Sequence, residues 1–416
     1  MTTAIERAYR TEAPHILGAV ARSVGDLQLA EDAVQEAFAR AVAETARGRA
    51  PANPAAWITT VARRIAIDAL RREATAARAL PALAADEAGR EARNSVAEAD
   101  MLANDVFTGD ERLELILLVC HPEVTEETRV ALALRFVCGV PTAQVAEVFL
   151  VPEATMAARL TRAKKRIHDS GLRFTVDDPE ALSDRLPDAL TTVYLLYTVG
   201  HARTDDRLRA DAVELARDVR RIRPDDAEAT ALLALLLLTE ARQTTRVSAQ
   251  DDFVTLADAD RTRWDRALLA EGERLATAAL TTAAGEEPGR FALQAAVAGL
   301  HGMAPTWETT DWPAIARLYD GLVRGWPSAT ARLGRIVARA YSPDVGPEAA
   351  LAELDAHPDL FDGVAASQAL AVRADLLRAA GERLAAADAY ERALTAADDA
   401  RVRRFLTRRR DEQRGA

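Results

Sequence analysis

No stretch of this chain stays apolar for long. Its strongest run, Ala231 to Leu238, is far short of the roughly 20 residues that a membrane span needs. The N-terminus lacks a charged segment leading into an apolar core, so a cytoplasmic protein with no membrane partner is expected. Cysteine is almost missing: only Cys120 and Cys138 occur, with His121 beside the first. Zinc takes four ligands, usually in short-spaced pairs. Three candidates without a second pair read instead as two small buried, apolar-like side chains and no metal site. The six histidines are scattered, and no Gly-rich phosphate loop, zincin motif or nucleophile elbow is present, so neither an enzyme nor a cofactor is expected. Aromatics make up 5% of the residues, against a background rich in Ala, Leu, Arg and Glu that favours helix over sheet.

What is present is an all-α composition on a chain of 416 residues, 49% hydrophobic and 28% charged. A single hydrophobic core stops growing by about 250 to 300 residues, which implies two or three domains. The formal charge of -11 at first argues against a nucleic-acid partner, but its distribution matters more than its sum. Residues 1–173 hold 22 basic and 24 acidic groups, leaving 31 and 40 for the rest. Within residues 151–173 there are six basic and two acidic side chains, a local basic patch of the kind a DNA-binding helix uses.

Four segments are expected: 1–75, a compact helical module broken at Arg47 to Pro54; 76–108, an Ala-, Glu- and Asp-rich linker; 109–173, a second helical module; and 174–416, a helical extension. The extension reads as about ten helices in antiparallel pairs. One pair near its end, AAGERLAAADAYERAL, places Gly381, Ala386, Tyr390 and Ala393 where a tetratricopeptide (TPR) repeat puts its turn glycine and close-approach residues.

Residues Thr142 to Ile167 divide into a short helix, a turn and a longer helix. Thr142 suits a cap and Pro152 the first turn of the longer helix. Met156, Leu160, Ala163 and Ile167 recur at helical spacing and predict the stripe that packs on Val145 and Phe149. Ala154, Ala158, Thr161, Arg162 and Lys165 fall on the opposite face, flanked by Thr155, Arg159 and Arg166. Such a helix fits the major groove. Thr155, Ala158 and Arg162 are the expected base readers, Arg159 flanks them, and Lys164, Lys165 and Arg166 supply salt-sensitive attraction to phosphates. Leu150 stands where such turns often carry glycine, so the turn must strain or take another geometry.

In the first module, LAEDAVQEAFARA (Leu29 to Ala41) is amphipathic, with Ala30, Val34, Ala37 and Phe38 inward and Asp32, Gln35 and Glu36 elsewhere on its surface. In PANPAAWITTVARRIAIDALRRE, projection puts Trp57, Val61, Ile65 and Asp68 on one face and Thr59, Thr60, Arg63 and Arg71 on the other. Asp68 is thereby expected to be a buried, paired acid.

In that order the two patterns resemble region 2 of the extracytoplasmic-function (ECF) sigma factors, and the second module resembles sigma region 4. DRTRWD at Asp260 to Asp265, Asp311-Trp312 and the terminal TPR-like pair resemble the ECF subgroup with a large fused C-terminal domain. The resemblance implies a sigma factor that binds core RNA polymerase and directs initiation at promoter DNA. It implies that Asp32, Gln35 and Glu36 face the beta-prime clamp helices and that region 4 also touches the beta flap. It further implies that the loop from Arg47 to Pro54, Asn53 within it, with Thr59, Thr60, Arg63 and Arg64 of the following helix, reads the minus-ten element, while region 4 reads the minus-thirty-five element. The extension would regulate in cis, through a contact with the sigma modules or polymerase. The competing reading is a stand-alone helix-turn-helix regulator with a helical sensor domain.

Overall fold

The computed structural model describes residues 4–79, 111–169, 179–248, 252–282, 285, 287–362, 366–397 and 399–415. Beyond Ala79 the expected linker lies outside the described residues. Among these residues all regular structure is helical, apart from one isolated antiparallel bridge between Val247 and Phe253. The chain divides into two units, Met1–Ile222 and Arg223–Ala416.

The first unit opens with α1 (Ala4–Thr11), α2 (Ala13–Val24), α3 (Leu27–Ala46) and α4 (Pro54–Ala79). Gly25 ends α2 in the left-handed region, at φ 70°, and Asp26 at once starts α3, its carboxylate accepting from the Leu29 N–H at 2.9 Å. These two residues reverse the chain sharply because glycine tolerates positive φ and aspartate satisfies an orphan helix donor. The core of the module is built from Val20, Ala30, Ala37, Phe38, Ile58, Ala62 and Ala66, all buried. The inward face of α4 thus differs from the projection. Ile58, Ala62 and Ala66 are sealed, Trp57, Val61 and Ile65 are half-buried beside them, and Asp68 is exposed, 3.9 Å from Arg71. Alanines at Ala62 and Ala66 let α4 lie close to α2 and α3, and that close approach rotates the seam away from Asp68.

The second module comprises α5 (Glu111–Val119), α6 (Glu126–Leu132) running into a π-helical turn at Ala133–Val137, α7 (Thr142–Val148) and α8 (Glu153–Asp169). Cys120 and Cys138 are buried thiols not joined in a disulfide, and burial pushes the Cys120 thiol well up from its ordinary range. Two further helices, α9 (Pro179–Arg203) and α10 (Asp206–Ile222), belong to the same unit. They extend the compact body past Arg173. Helix α9 packs on α5, α6 and α7, burying Leu190, Val193, Leu196 and Tyr197. Polar ties fix its register: Arg129 to Asp188 at 2.6 Å, Arg112 to Asp211 of α10 at 2.9 Å, and Arg185 to the Leu117 carbonyl at 3.2 Å. Gly200 is required where α9 meets α10, because a Cβ there would lie 2.9 Å from the Arg209 nitrogen.

The second unit runs through α11 (Ala227–Glu240), α12 (Arg266–Thr282), α13 (Arg290–Met303), α14 (Trp312–Gly325), α15 (Ala329–Ala340), α16 (Gly346–Asp355), α17 (Ala366–Ala379), α18 (Arg383–Thr395) and α19 (Ala400–Arg414). Most of these helices pack chiefly on their sequence neighbours, with α13 also packed heavily on α11, the pattern of a repeat array. The apolar run Ala231 to Leu238 is buried on all sides in α11, between α12 and α13. The DRTRWD corner is structural. Arg261 donates to the His301 and Ala304 carbonyls at 2.8 and 2.7 Å, Trp264 donates to Thr245 Oγ1 at 2.9 Å, and Asp265 caps α12. Asp311 likewise caps α14, and Trp312 joins Trp307 and Tyr341 in an aromatic cluster. At the α17–α18 hairpin Gly381 takes φ 83°, and Ala386, Tyr390 and Ala393 are buried, as the repeat pattern predicts. The last helix also returns to the beginning of the unit. Arg404 pairs with Asp252 at 2.7 Å, Arg409 with Asp258 at 2.6 Å, and Phe405 meets Phe253 edge-on at 5.7 Å.

Candidate nucleic-acid interface

Helix α8 is seated by its apolar stripe: Met156, Leu160, Ala163 and Ile167 are all buried, with Val145 of α7 buried and Phe149, just past the end of α7, half-buried. The local geometry is close to the expected one, with two differences. Helix α7 starts at Thr142 itself, and the preceding Pro141 is the cap residue with no side-chain bond, so Thr142 does not cap. Pro152 stands just before α8, where its missing N–H is no loss, and its carbonyl accepts from Thr155 and Met156 at 2.9 and 3.1 Å. Between the helices Leu150 carries the turn at φ 58°. A left-handed non-glycine residue strains the backbone by about 1–2 kcal/mol, and here the leucine side chain is 60% exposed, with little burial to offset it.

That seating turns Ala154, Thr155, Ala158, Thr161, Arg162, Lys165 and Arg166 out to the surface together. Arg159 stands at the edge and pairs with Glu127 of α6 at 3.1 Å. Lys164 does not join them. Its side chain is 13% exposed, its ammonium pairs with Glu31 of α3, and it lies 4.9 Å over the Phe136 ring. Helix periodicity places Lys164 beside the basic face but carries no sign of a partner 133 residues away.

On the first module, Arg63, Arg64 and Thr60 are exposed and Thr59 half-buried along α4. Both threonines bond back to helix carbonyls, Thr59 to Ala55 and Thr60 to Ala56, at 2.9 Å each. Asn53 is exposed, with its side-chain oxygen accepting from the Ala56 N–H at 3.2 Å, so it serves as the cap of α4. The preceding loop is anchored by Glu44, which accepts from Arg47 at 2.9 Å and Arg49 at 2.6 Å. Those hydrogen bonds, to Arg49 first and then Arg47, bring the Glu44 carboxyl down to about 2. Asp32, Gln35 and Glu36 are exposed along one side of α3, Glu36 paired with Arg40 at 2.9 Å.

The two modules also touch. Helix α2 packs on α5 and on the π turn, and α3 packs on α8. Arg22 pairs with Glu114 at 3.0 Å, a Cβ at Gly18 would collide with Leu115, and one at Gly139 would collide with Pro14. None of these residues had a sequence signal as a contact, since each gains its meaning from a partner in the other module.

Comparison with known proteins bears on this arrangement. The model for sigma-70 region 2 matches residues 8–75, that for sigma-70, region 4 matches residues 114–167, and a family of unknown function (DUF6596) matches residues 185–280. An uncharacterised protein of Rhizobium meliloti (strain 1021) is 35% identical over 404 residues, 95% of this chain and 92% of that one. A probable ECF RNA polymerase sigma factor, SigI, of Mycobacterium tuberculosis is 27% identical over 177 residues, 42% of this chain and 57% of its own. The ECF RNA polymerase sigma factor SigK of Mycobacterium ulcerans is 28% identical over 170 residues, 39% and 80% of the two chains. No solved structure matches. Among the described residues, no helix is long and apolar enough to cross a membrane.

Proposed function

The chain belongs to the ECF sigma-70 family, in a form with a fused helical C-terminal domain, and from that premise we propose that it binds core RNA polymerase in the cytoplasm and selects promoters. Region 4 reads the minus-thirty-five element through Thr155, Ala158 and Arg162, with Lys165 and Arg166 on phosphates and Arg159 at the edge. Region 2 engages the minus-ten element around Thr59, Thr60, Arg63 and Arg64, with Asn53 setting the start of α4. Asp32, Gln35 and Glu36 are the polymerase-facing group. The work is binding rather than catalysis: duplex stacking is exchanged for protein contacts, and no bond in the nucleic acid is broken by this chain.

The observation that carries the reading is the basic face of α8, turned outward as one surface on a helix-turn-helix. Run-off transcription with core polymerase and a promoter library tests it. Initiation at a defined promoter class only when the chain is added is the expected result. Duplex binding of equal strength and specificity without any effect on polymerase would overturn it.

The remaining part of the proposal is control in cis by residues 174–416. Because α9 and α10 bury the outer surface of α5 to α7, the informative truncation ends at Ile222 rather than at Arg173. The truncated and full-length chains are expected to differ in initiation rate or promoter choice; identical behaviour sinks this part.

A further inference from the structure

We infer that Leu150, in the turn between α7 and α8, is a further specificity residue of region 4, and that its side chain packs on the methyl group of a thymine at the reading end of α8. The inference rests on the proposed reading of duplex DNA by α8, to which it adds an apolar base contact.

Helix α7 ends in a Schellman turn: the Val151 N–H donates to the Ala146 carbonyl at 3.0 Å and the Leu150 N–H to the Glu147 carbonyl at 3.1 Å. Such a turn puts its residue 150 into the left-handed region, which glycine enters freely and leucine does not. Among the described residues, only Leu150 and Thr204 hold a positive φ without being glycine. The backbone therefore accounts for the conformation of this residue but not for its identity. Packing does not account for it either. Phe149 and Val151 on either side are half-buried, whereas Leu150 is 60% exposed, and the apolar position of a Schellman turn is the next residue, Val151. A strained, exposed leucine with no work inside the fold is what a contact outside it would retain.

Position and charge say what that contact is. Leu150 lies just ahead of Glu153, Ala154 and Thr155, at the end of a helix whose first residues meet base edges in the major groove. Side chains on a helix lean toward its N-terminus, so the outward face of Ala158, Thr155 and Ala154 leads toward this turn. From Leu150 to Ala158 the chain carries no cation, and its one charged group, Glu153, is acidic and exposed. Such a tip gains nothing from phosphates and has to bind through the bases. The apolar group that a base edge offers in the major groove is the thymine methyl.

The test uses the full chain with core polymerase on a promoter duplex that it selects. Thymines in and beside the minus-thirty-five element are replaced one at a time by deoxyuridine, which removes only the methyl group. At one position the replacement is expected to weaken binding by the unaltered chain about fourfold, the worth of one buried methyl-sized group. The same replacement should leave Leu150→Gly and Leu150→Ala unaffected. Glycine relieves the backbone strain and alanine keeps it, so agreement between the two variants assigns the effect to the lost side chain. Both should bind the thymine duplex about as weakly as the unaltered chain binds its deoxyuridine counterpart, with the salt slope unchanged because no cation is removed. The inference is overturned if no thymine shows this dependence on Leu150. It is equally overturned if the variants lower initiation while promoter binding keeps its full strength, which would give the leucine to a protein partner. If initiation does not depend on the chain at all, the sigma-factor reading fails, while the same replacements in a duplex selected by the free chain still decide the role of Leu150.

Discussion

Arg129 of α6 and Asp188 of α9 meet at 2.6 Å, with Asp188 only 5% exposed. Burial pushes the Asp188 carboxyl up, more than Arg129 draws it down, so the pair matters chiefly for what the loss of one partner would leave behind. Asp188→Ala strands a largely buried guanidinium and is expected to cost about 3 kcal/mol. Asp188→Asn, which keeps shape and a polar partner, should cost less. Urea unfolding of the full chain checks both, the first transition shifting and the slope staying constant.

Leu150 makes the opposite prediction. A leucine held at φ 58° with its side chain in solvent is strained for no packing gain. Leu150→Gly is expected to stabilise the first unit by about 1 kcal/mol, the relief of left-handed strain less the greater freedom of glycine when unfolded. A rise in its thermal midpoint checks this; a fall would mean that the exposed leucine makes a contact of value in the free protein.

His301 sets a pH dependence in the second unit. Burial first, then Arg242 and Arg261, bring its imidazole down from 6.5 to about 3. The native chain therefore holds it neutral, while the unfolded chain takes up a proton below 6.5. Stability from this group is complete above pH 6.5 and is lost as the pH falls toward 3, by about 2 kcal/mol at pH 5. His301→Gln is expected to narrow the difference in thermal midpoint between pH 7 and pH 5; an unchanged difference would place the acid sensitivity elsewhere.

Under the proposed function the exposed residues of α8 divide by task. Arg162→Ala is expected to cost about 1–3 kcal/mol of promoter affinity and to relax preference at one base pair. Lys165→Ala should weaken binding evenly across sequences and reduce the salt slope by about 0.9. Fluorescence anisotropy of the holoenzyme on matched and mismatched duplexes at several salt concentrations separates the two. Equal effects of both variants on every sequence would remove Arg162 from the base-reading set.

Much of this was legible in the sequence where local chemistry decides. The stripe Met156, Leu160, Ala163 and Ile167 is buried as its spacing predicts, and Leu150 is left-handed where the pattern asks for glycine. Helix α4 was harder. Apolar residues at Trp57, Ile58, Val61, Ala62, Ile65 and Ala66 cover too broad an arc to fix its centre, and the small alanines, which weigh little in a hydrophobic projection, are what allow close packing. Lys164 and Asn53 were legible as polar residues in the right places but not in their local bonds, one to Glu31 and the other to the Ala56 N–H. The ties from α9 and α10 back to α5 and α6 were out of reach, since Arg112 and Arg129 look like ordinary surface arginines until a distant helix covers them.

The docking of α19 on the 252–258 loop gives the last prediction. Arg404 and Arg408 share Asp252, and Arg409 takes Asp258, with the partners partly exposed. Removing both acids, Asp252→Ala with Asp258→Ala, is expected to lower stability by about 1 kcal/mol at low salt and by much less at 1 M salt. Thermal midpoints across a salt series check it.

The same docking changes how the second unit comes apart. A stack of helical pairs normally frays from whichever end is weaker, one repeat at a time. Here α19 is also tied to a loop 152 residues earlier, so fraying of that helix has to break these ion pairs as well as its packing on α18. The tie is a contact of long sequence separation, and it joins the last helix of the array to the loop between its first two, a link that a purely neighbour-to-neighbour stack lacks.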